Sequence, residues 1–373
     1  MSNQPTDYLS TVKNMNEDFV SYMIIAFIFI ILIIMIGYMI YLYRLDNSEC
    51  SFMNGLYPSV DGNIKSLVPS DPDCSGNLYD YYIKTAYNAC SGGSYKNDFV
   101  DLCNLKAVLK QGVRGLDFEI YSVDNNPVVS SSTTENYFVK ETFNSVNFAD
   151  VMSTIQNYAF SNGTSPNPTD PIIIHLRIKS NNLDMYSKLA SIFKSYDSIM
   201  LGKEYSFENY GQNLGAVPLL TFQKKVILIV DKINNSFLES RDFLEYVNMT
   251  SNSVFMRAYD YYNVKNNPDI NELTEFNKRG ITIALPDKGV NPANPSGLLC
   301  REAGCQMVAM RYQYVDNQLE ENAVFFDMCG YAFCLKPARL RYIPVTIAAP
   351  TPQKPEYSYA TRGVSSDYYS FSV

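Results

Sequence analysis

Gly112-Val113-Arg114-Gly115-Leu116-Asp117-Phe118-Glu119-Ile120-Tyr121 is the stretch on which the reading of this chain turns. It follows a helix-like run over residues 99–111 that closes at Gly112. Strand alternation sets Val113, Gly115, Asp117 and Glu119 on one face and Arg114, Leu116, Phe118 and Ile120 on the other. Two carboxylates on one face near a strand's C-terminal end repel each other, and a cation or a shared proton must relieve that repulsion. The identity of that cation is the functional question.

Further strand-like runs occupy residues 171–178, 225–230, 254–259, 281–285 and 306–314. Helical patterns lie between them. Asn147 caps a run with Phe148, Val151, Met152, Ile155 and Ala159 on one face, and Leu183, Tyr186, Leu189 and Phe193 form a second stripe. Ser236-Phe237-Leu238-Glu239 has the form of a capping box. Both stripes read as core. Repeated β-α units fit an α/β barrel or a doubly wound sheet. Neither usual glycine-rich phosphate loop follows a strand, which disfavours the nucleotide-binding sheet. A barrel over residues 79–347 is the expectation, with functional residues at strand C-terminal ends.

Ahead of it, residues 19–43 carry no charge and consist mainly of Ile, Met, Phe and Leu. A spanning helix needs ~20 apolar residues, so this run can cross a bilayer with some tilt. Tyr22, Tyr38, Tyr41 and Tyr43 sit toward its ends, as interfacial aromatics do. Glu17 and Asp18 precede it and no small-residue cleavage site follows, against a cleaved signal peptide. The expectation is a single-pass membrane protein: a short polar segment over 1–18, the span, and a stalk or irregular cap over 44–78. Lys13 before the span and Arg44 after it leave orientation open. A Pro-, Ser- and Tyr-rich tail over 348–373 is expected to be extended.

The formal charge of -8 and the scatter of basic residues exclude a nucleic-acid partner. All eight cysteines lie beyond the span. Their even count is compatible with disulfides and with a barrel on the oxidising side. Cys300/Cys305 and Cys329/Cys334 are close enough to suggest zinc, but their spacing is wider than usual for that metal. Sequons at Asn162, Asn234 and Asn248 are of the kind an Asn-rich chain makes by chance.

Residues 303–310, Ala-Gly-Cys-Gln-Met-Val-Ala-Met, are followed by Gly330-Tyr331-Ala332-Phe333-Cys334-Leu335-Lys336-Pro337 and Leu340-Arg341. This order resembles the Y half of eukaryotic phosphoinositide-specific phospholipase C. The opening stretch looks like that family's X-half strand, where Gly-x-Arg leads into two acidic residues. Residues 148–160 followed by Pro171-Ile172-Ile173-Ile174 are also similar to it. The resemblance covers roughly residues 80–345, with an X-like half over 79–205 and a Y-like half over 215–347. It implies a distorted (β/α) TIM-type barrel and phosphoric diester hydrolysis. In that chemistry two histidines work beside calcium held by an Asn and three carboxylates.

Position by position, the resemblance implies an incomplete site. Tyr87 stands where the first family histidine belongs, with Asn88 kept beside it. Ser131 stands where the second belongs. Asp117 and Glu119 fall on two metal carboxylates, while Arg177 takes the place of the third. Two expected lysines read as Ile229 and Asp231. The chain holds one histidine, His175, so a two-histidine mechanism is impossible. His175 should share a face with Arg177 one layer deeper, as a core residue. Arg177 should replace calcium as partner of both carboxylates, much as bacterial relatives look similar in placing an arginine near the metal. No cofactor is expected, or calcium if the site works.

Three readings follow: a membrane-anchored pseudoenzyme serving as a structural or binding module, an active phosphodiesterase using Tyr87 and His175, and a phospholipid-headgroup receptor. The bilayer, through residues 19–43, and other membrane or virion proteins are the expected partners. The virion membrane of a large DNA virus is an expected location.

Overall fold

The computed structural model describes residues 5–134, 138–344, 349–352, 354, 357 and 361–373, with side-chain environments from residue 19 onward. Parts of the predicted 1–18 segment and 348–373 tail therefore lie outside the described residues. Residues 1–341 form one compact unit. Residues 342–373 form another, in which Gly363–Ser365 pairs antiparallel with Ser370–Ser372.

Eight parallel strands build the barrel: β1 (Tyr81–Ala86), β2 (Gly115–Val123), β3 (Ile172–Ile178), β4 (Val226–Asp231), β5 (Met249–Ser251), β6 (Met256–Asp260), β7 (Ile281–Leu285) and β8 (Met307–Met310). They follow one another around the ring as β5-β4-β3-β2-β1-β8-β7-β6. The ring is nearly closed, with its seam between β5 and β6. The barrel expected from the β-α alternation is present.

The reading of strands missed β1 and β5. All six residues of β1 are buried, including Lys84, so its sequence shows no polar alternation. β5 has only three residues, too few for a period to register. β8 stops at Met310 instead of continuing to 314. There the Arg311 N–H turns to Asn294 Oδ1, and Tyr314 N–H closes a turn on the Arg311 carbonyl.

The alternation in β2 separates two cores. Leu116, Phe118 and Ile120 face the outer helices, packing with Leu105, Val108, Phe148 and Val151. The barrel interior holds Ile83, Ile173, Ile227, Ile229, Ile283 and Met307, with polar groups toward the strand C-terminal end. β2 then turns back at Asp124-Asn125, both at positive φ (49° and 62°), to pair with Asn126–Ser130. That is the backbone a two-residue hairpin requires.

Helix α1 runs unbroken from Pro5 to Leu56. From Phe19 onward it is long and apolar enough to cross a membrane. The stretch read as irregular over 44–78 is therefore helical through Leu56. Met53 is buried in the outer core and explains the continuation, since this last turn gains a packing partner. Helix α2 (Leu102–Lys110) lies beside it, and a Cys50–Cys103 disulfide joins them with Cα atoms 5.7 Å apart. Cys329 and Cys334 form a second disulfide, so that pair offers no zinc thiolates. Cys300 and Cys305 are free and buried.

A candidate functional site at the barrel mouth

The register of β2 against β3 decides what the two carboxylates meet. Asp117 lies opposite His175, and Glu119 opposite Arg177. All four side chains point into the barrel and are fully buried or nearly so. The Arg177 guanidinium lies between the acids. Its Nε donates to Asp117 Oδ1 at 3.0 Å, Nη2 to Asp117 Oδ2 at 2.7 Å, and Nη1 to Glu119 Oε1 at 2.6 Å. Nη2 also donates to Asn88 Oδ1 at 3.0 Å. The Tyr87 ring covers the guanidinium, 4.7 Å from its carbon to the ring centre.

The remaining lone pairs are also engaged. His175 Nδ1–H donates to Asp117 Oδ1 at 2.7 Å, and the Asn88 amide reaches Asp117 Oδ2 at 3.3 Å. Glu119 Oε2 accepts from the Tyr121 hydroxyl at 2.6 Å and from the Ser132 amide at 2.9 Å. Burial by itself would raise the Asp117 carboxyl. The Arg177 charge and the bonds from His175 and Arg177 outweigh it and hold Asp117 well below the usual carboxylate range. Burial alone would lower Arg177. The charges of Asp117 and Glu119, with the Asp117 bonds, push it well above its ordinary value.

The other candidates are placed apart from this core or above it. Tyr87 is buried, its phenol raised chiefly by burial, and it packs edge-on against Tyr95 at 5.3 Å. Lys288 Nζ lies 3.4 Å from its hydroxyl. The Ser131 hydroxyl donates to the Tyr95 carbonyl at 3.5 Å. It is the next residue, Ser132, that meets Glu119. Asp231 is held by Asn252 Nδ2 at 2.8 Å and by the Ile233 amide. Ile229 is buried in the lumen.

Four participants escaped the sequence reading. Tyr121 was within reach, because it lies two residues beyond Glu119 on the same face of β2. Arg311 was also legible, as the first residue after a barrel strand. Its guanidinium donates to the Tyr95 hydroxyl at 2.9 Å and to the Pro292 carbonyl, stitching the cover over Tyr87. Ser132 acts largely through its backbone and carries no signal. Ser251, 2.9 Å from His175 Nε2, comes from the unrecognised β5.

Calcium takes 6–8 oxygen ligands. Here all four oxygens of Asp117 and Glu119, and the Asn88 carbonyl oxygen, already hold donors. Arg177 adds a positive charge within hydrogen-bond distance of both carboxylates. These residues do not fit a calcium ion.

Residues 74–233 match the family model of the phosphatidylinositol-specific phospholipase C X domain. The barrel is of the phospholipase C type. Among solved structures, the chain is similar to S. officinalis PLC21 at 18% identity and TM-score 0.58. It is similar to L. pealei PLC21 at 19% identity and TM-score 0.56. Each match covers 72% of this chain and 38% of the other, so the chain spans well under half the length of either protein. A calcium-dependent phosphoinositol-specific phospholipase C from Pseudomonas sp. aligns at 13% identity over 71% of this chain and 97% of its own, with TM-score 0.44. No curated protein sequence matches the chain.

Within the phospholipase-C-type barrel, the most specific stretch of sequence lies at the opposite end from this site. Gln306 Nε2 donates to the carbonyls of Tyr79, Asn277 and Gly280, and its Oε1 accepts from the Thr282 amide. Lys336 Nζ donates to the Asn277 carbonyl at 2.7 Å. These residues close the barrel's base.

Proposed function

We propose that this chain is a membrane-tethered, catalytically inactive barrel of the phospholipase C type, serving as a structural or lipid- and partner-binding module. The observation that carries the proposal is Arg177. Four of its five N–H donors go to Asp117, Glu119 and Asn88, and the side chain is 1% exposed, so little of its charge is left for a substrate. Stabilising a phosphoryl transition state takes a cation with donors still to give. Counting Asp117, Glu119 and Arg177 together, the buried centre carries a formal negative charge, which repels a phosphodiester.

Proton transfer is equally poorly served. His175 is sealed between Asp117 and Ser251. The Asp117–His175–Ser251 order has the connectivity of a hydrolase triad, and it favours the second reading, a phosphodiesterase with a rearranged site. Ser251 is fully buried, however, so its hydroxyl meets no substrate. The tether is the apolar run over residues 19–43 within α1.

The test is hydrolysis of phosphatidylinositol vesicles by the full chain, with and without calcium, alongside a calorimetric calcium titration. No turnover and no calcium heat are expected. Turnover lost on His175→Ala or Tyr87→Phe would establish the rearranged enzyme instead, and calcium binding that depends on Asp117 would overturn the arginine-for-metal reading.

A further inference from the structure

We infer that the joint between α1 and the barrel is an acid-tightened latch, in which Glu49 and Asp98 share one buried proton that holds the end of the helix on the loop between β1 and α2. The inference concerns how the helix is fastened, and it stands whether or not the barrel turns over a substrate.

α1 meets the barrel through its last two turns. Met53 is buried in the outer core, and Cys50 is bonded to Cys103 in the first turn of α2. The residue before Cys50 is Glu49, which lies past the apolar run and is only 6% exposed. Asp98, in the loop between β1 and α2, is 7% exposed. The two carboxyls meet over Gly93. A Cβ there would lie 2.7 Å from Glu49 Oε1 and closer still to Asp98 Oδ2. At Gly92 it would lie 2.8 Å from Glu49 Oε2 and 2.7 Å from Asn104 Nδ2. Two consecutive glycines thus leave room for an acidic side chain of the helix to enter the loop.

The partners of the two acids assign the proton. Asp98 is provided for as an anion: its Oδ2 accepts from the Ser94 amide at 2.7 Å and its Oδ1 from the Phe99 amide at 3.1 Å. Neither Glu49 oxygen has a donor partner among the described residues, and the Asn104 amide beside it goes to the Cys90 carbonyl. A buried carboxylate without donors, next to a like charge, is costly in its ionised form. A proton on Glu49 removes that charge and donates to Asp98, whose oxygens still have lone pairs to accept it. The charged groups around the pair supply no substitute cation. Asp46 on α1 adds a further negative charge. Asp101 caps α2 through the Cys103 amide, and Lys96 pairs with Glu141 at 2.9 Å. Arg311 approaches the Gly93 carbonyl at 3.5 Å from the barrel side, with its other donors on Tyr95, Pro292 and Asn291. Burial first, and the Asp98 contact second, push the Glu49 carboxyl up to about 10. In β2 the repulsion between Asp117 and Glu119 is relieved by Arg177 instead.

In the unfolded chain Glu49 titrates near the ordinary ~4.3. Between there and about 10, the folded joint keeps a proton that the unfolded chain releases. The contribution of the pair is therefore complete in acid and declines as pH rises. The Cys50–Cys103 bond does not titrate, so a rise in pH loosens the helix on the loop without detaching it.

Glu49→Gln keeps the shape and a donor toward Asp98 but has no proton to lose. Urea unfolding of the full detergent-solubilised chain is compared across pH for wild type and this variant. Above the ordinary glutamate range, the folding equilibrium constant of the variant should gain on that of the wild type by up to about tenfold per pH unit. Parallel curves would overturn the shared proton. Should Glu49→Gln not fold, Asp98→Asn probes the same pair, because it removes the like charge and should flatten the same limb. Infrared difference spectra give a readout that a merely structural contact would not move. At neutral pH the wild type should show the carbonyl stretch of one protonated carboxylic acid that the variant lacks. Identical spectra in that region would overturn the inference.

Discussion

At the base of the barrel, Gln306 and Lys336 spend their donors on backbone carbonyls. At the mouth, Arg177 spends its donors on two carboxylates and an amide. Both sets are buried, and both are paired as enclosed polar groups should be, except that Asn88 Nδ2 at the mouth has no hydrogen-bond partner. They differ in what they hold. The base set joins segments distant in sequence, from Tyr79 to Lys336, so it specifies the fold. The mouth set pairs the carboxylates of β2 with the arginine of β3. The stretch around Gln306 is therefore scaffold, and the barrel mouth holds a self-contained ion cluster.

The contrast can be broken most directly with Arg177→Met, which leaves Asp117 and Glu119 buried without a cation. A loss of about 3–5 kcal/mol is expected in urea unfolding of the detergent-solubilised chain. An unchanged midpoint would mean that the carboxylates have another partner. Next comes Cys50→Ser with Cys103→Ser, which releases the helix from the barrel. Closing the longer loop makes this disulfide the more stabilising, at about 2–4 kcal/mol. Removing Cys329–Cys334, with a sequence separation of 5 against 53, should cost less. Gln306→Ala should cost about 1–3 kcal/mol by taking the side-chain partner from the buried Thr282 amide and from the Tyr79 and Gly280 carbonyls, while the Asn277 carbonyl keeps Lys336. Its effect should appear in stability and leave the Arg177 cluster intact.

The smallest effects separate the two ends by pH. Asp117 titrates below its unfolded value, so its contribution is present above the ordinary aspartate range, near ~3.9. It is lost as pH falls toward the folded value, and Asp117→Asn should flatten the acid limb of a stability-pH curve. Lys336 behaves at the alkaline side. Burial pushes it down to about 7, against the raising influence of Asp80. Between there and the ordinary lysine value near ~10.4, the unfolded chain binds a proton that the folded barrel does not. The contribution of Lys336 to stability should rise with pH across that window, and the difference between the wild-type and Lys336→Met curves should change there in the same sense. A single shared window would show that the two ends do not titrate independently.

Local pattern settled much of this protein. The 19–43 run is apolar at every register, so no tertiary partner is needed to read it as a candidate span. The alternation of β2 put Asp117 and Glu119 on one face, and a chain with a single histidine rules out chemistry that needs two. Tertiary structure decided what those side chains meet. The pairing of β2 with β3 sets Arg177 beside Glu119, but Ser251 reaches His175 only through β5, a strand too short to show a period. Ser132 enters through a backbone amide, which no side-chain pattern can announce. The helical course of residues 44–56 likewise depended on packing, because Met53 and Cys50 find partners only on the folded barrel. Side-chain periodicity records which face a residue occupies. Which groups meet across that face is fixed by long-range register, and here register turned a metal-like pair of carboxylates into an arginine's counter-ions.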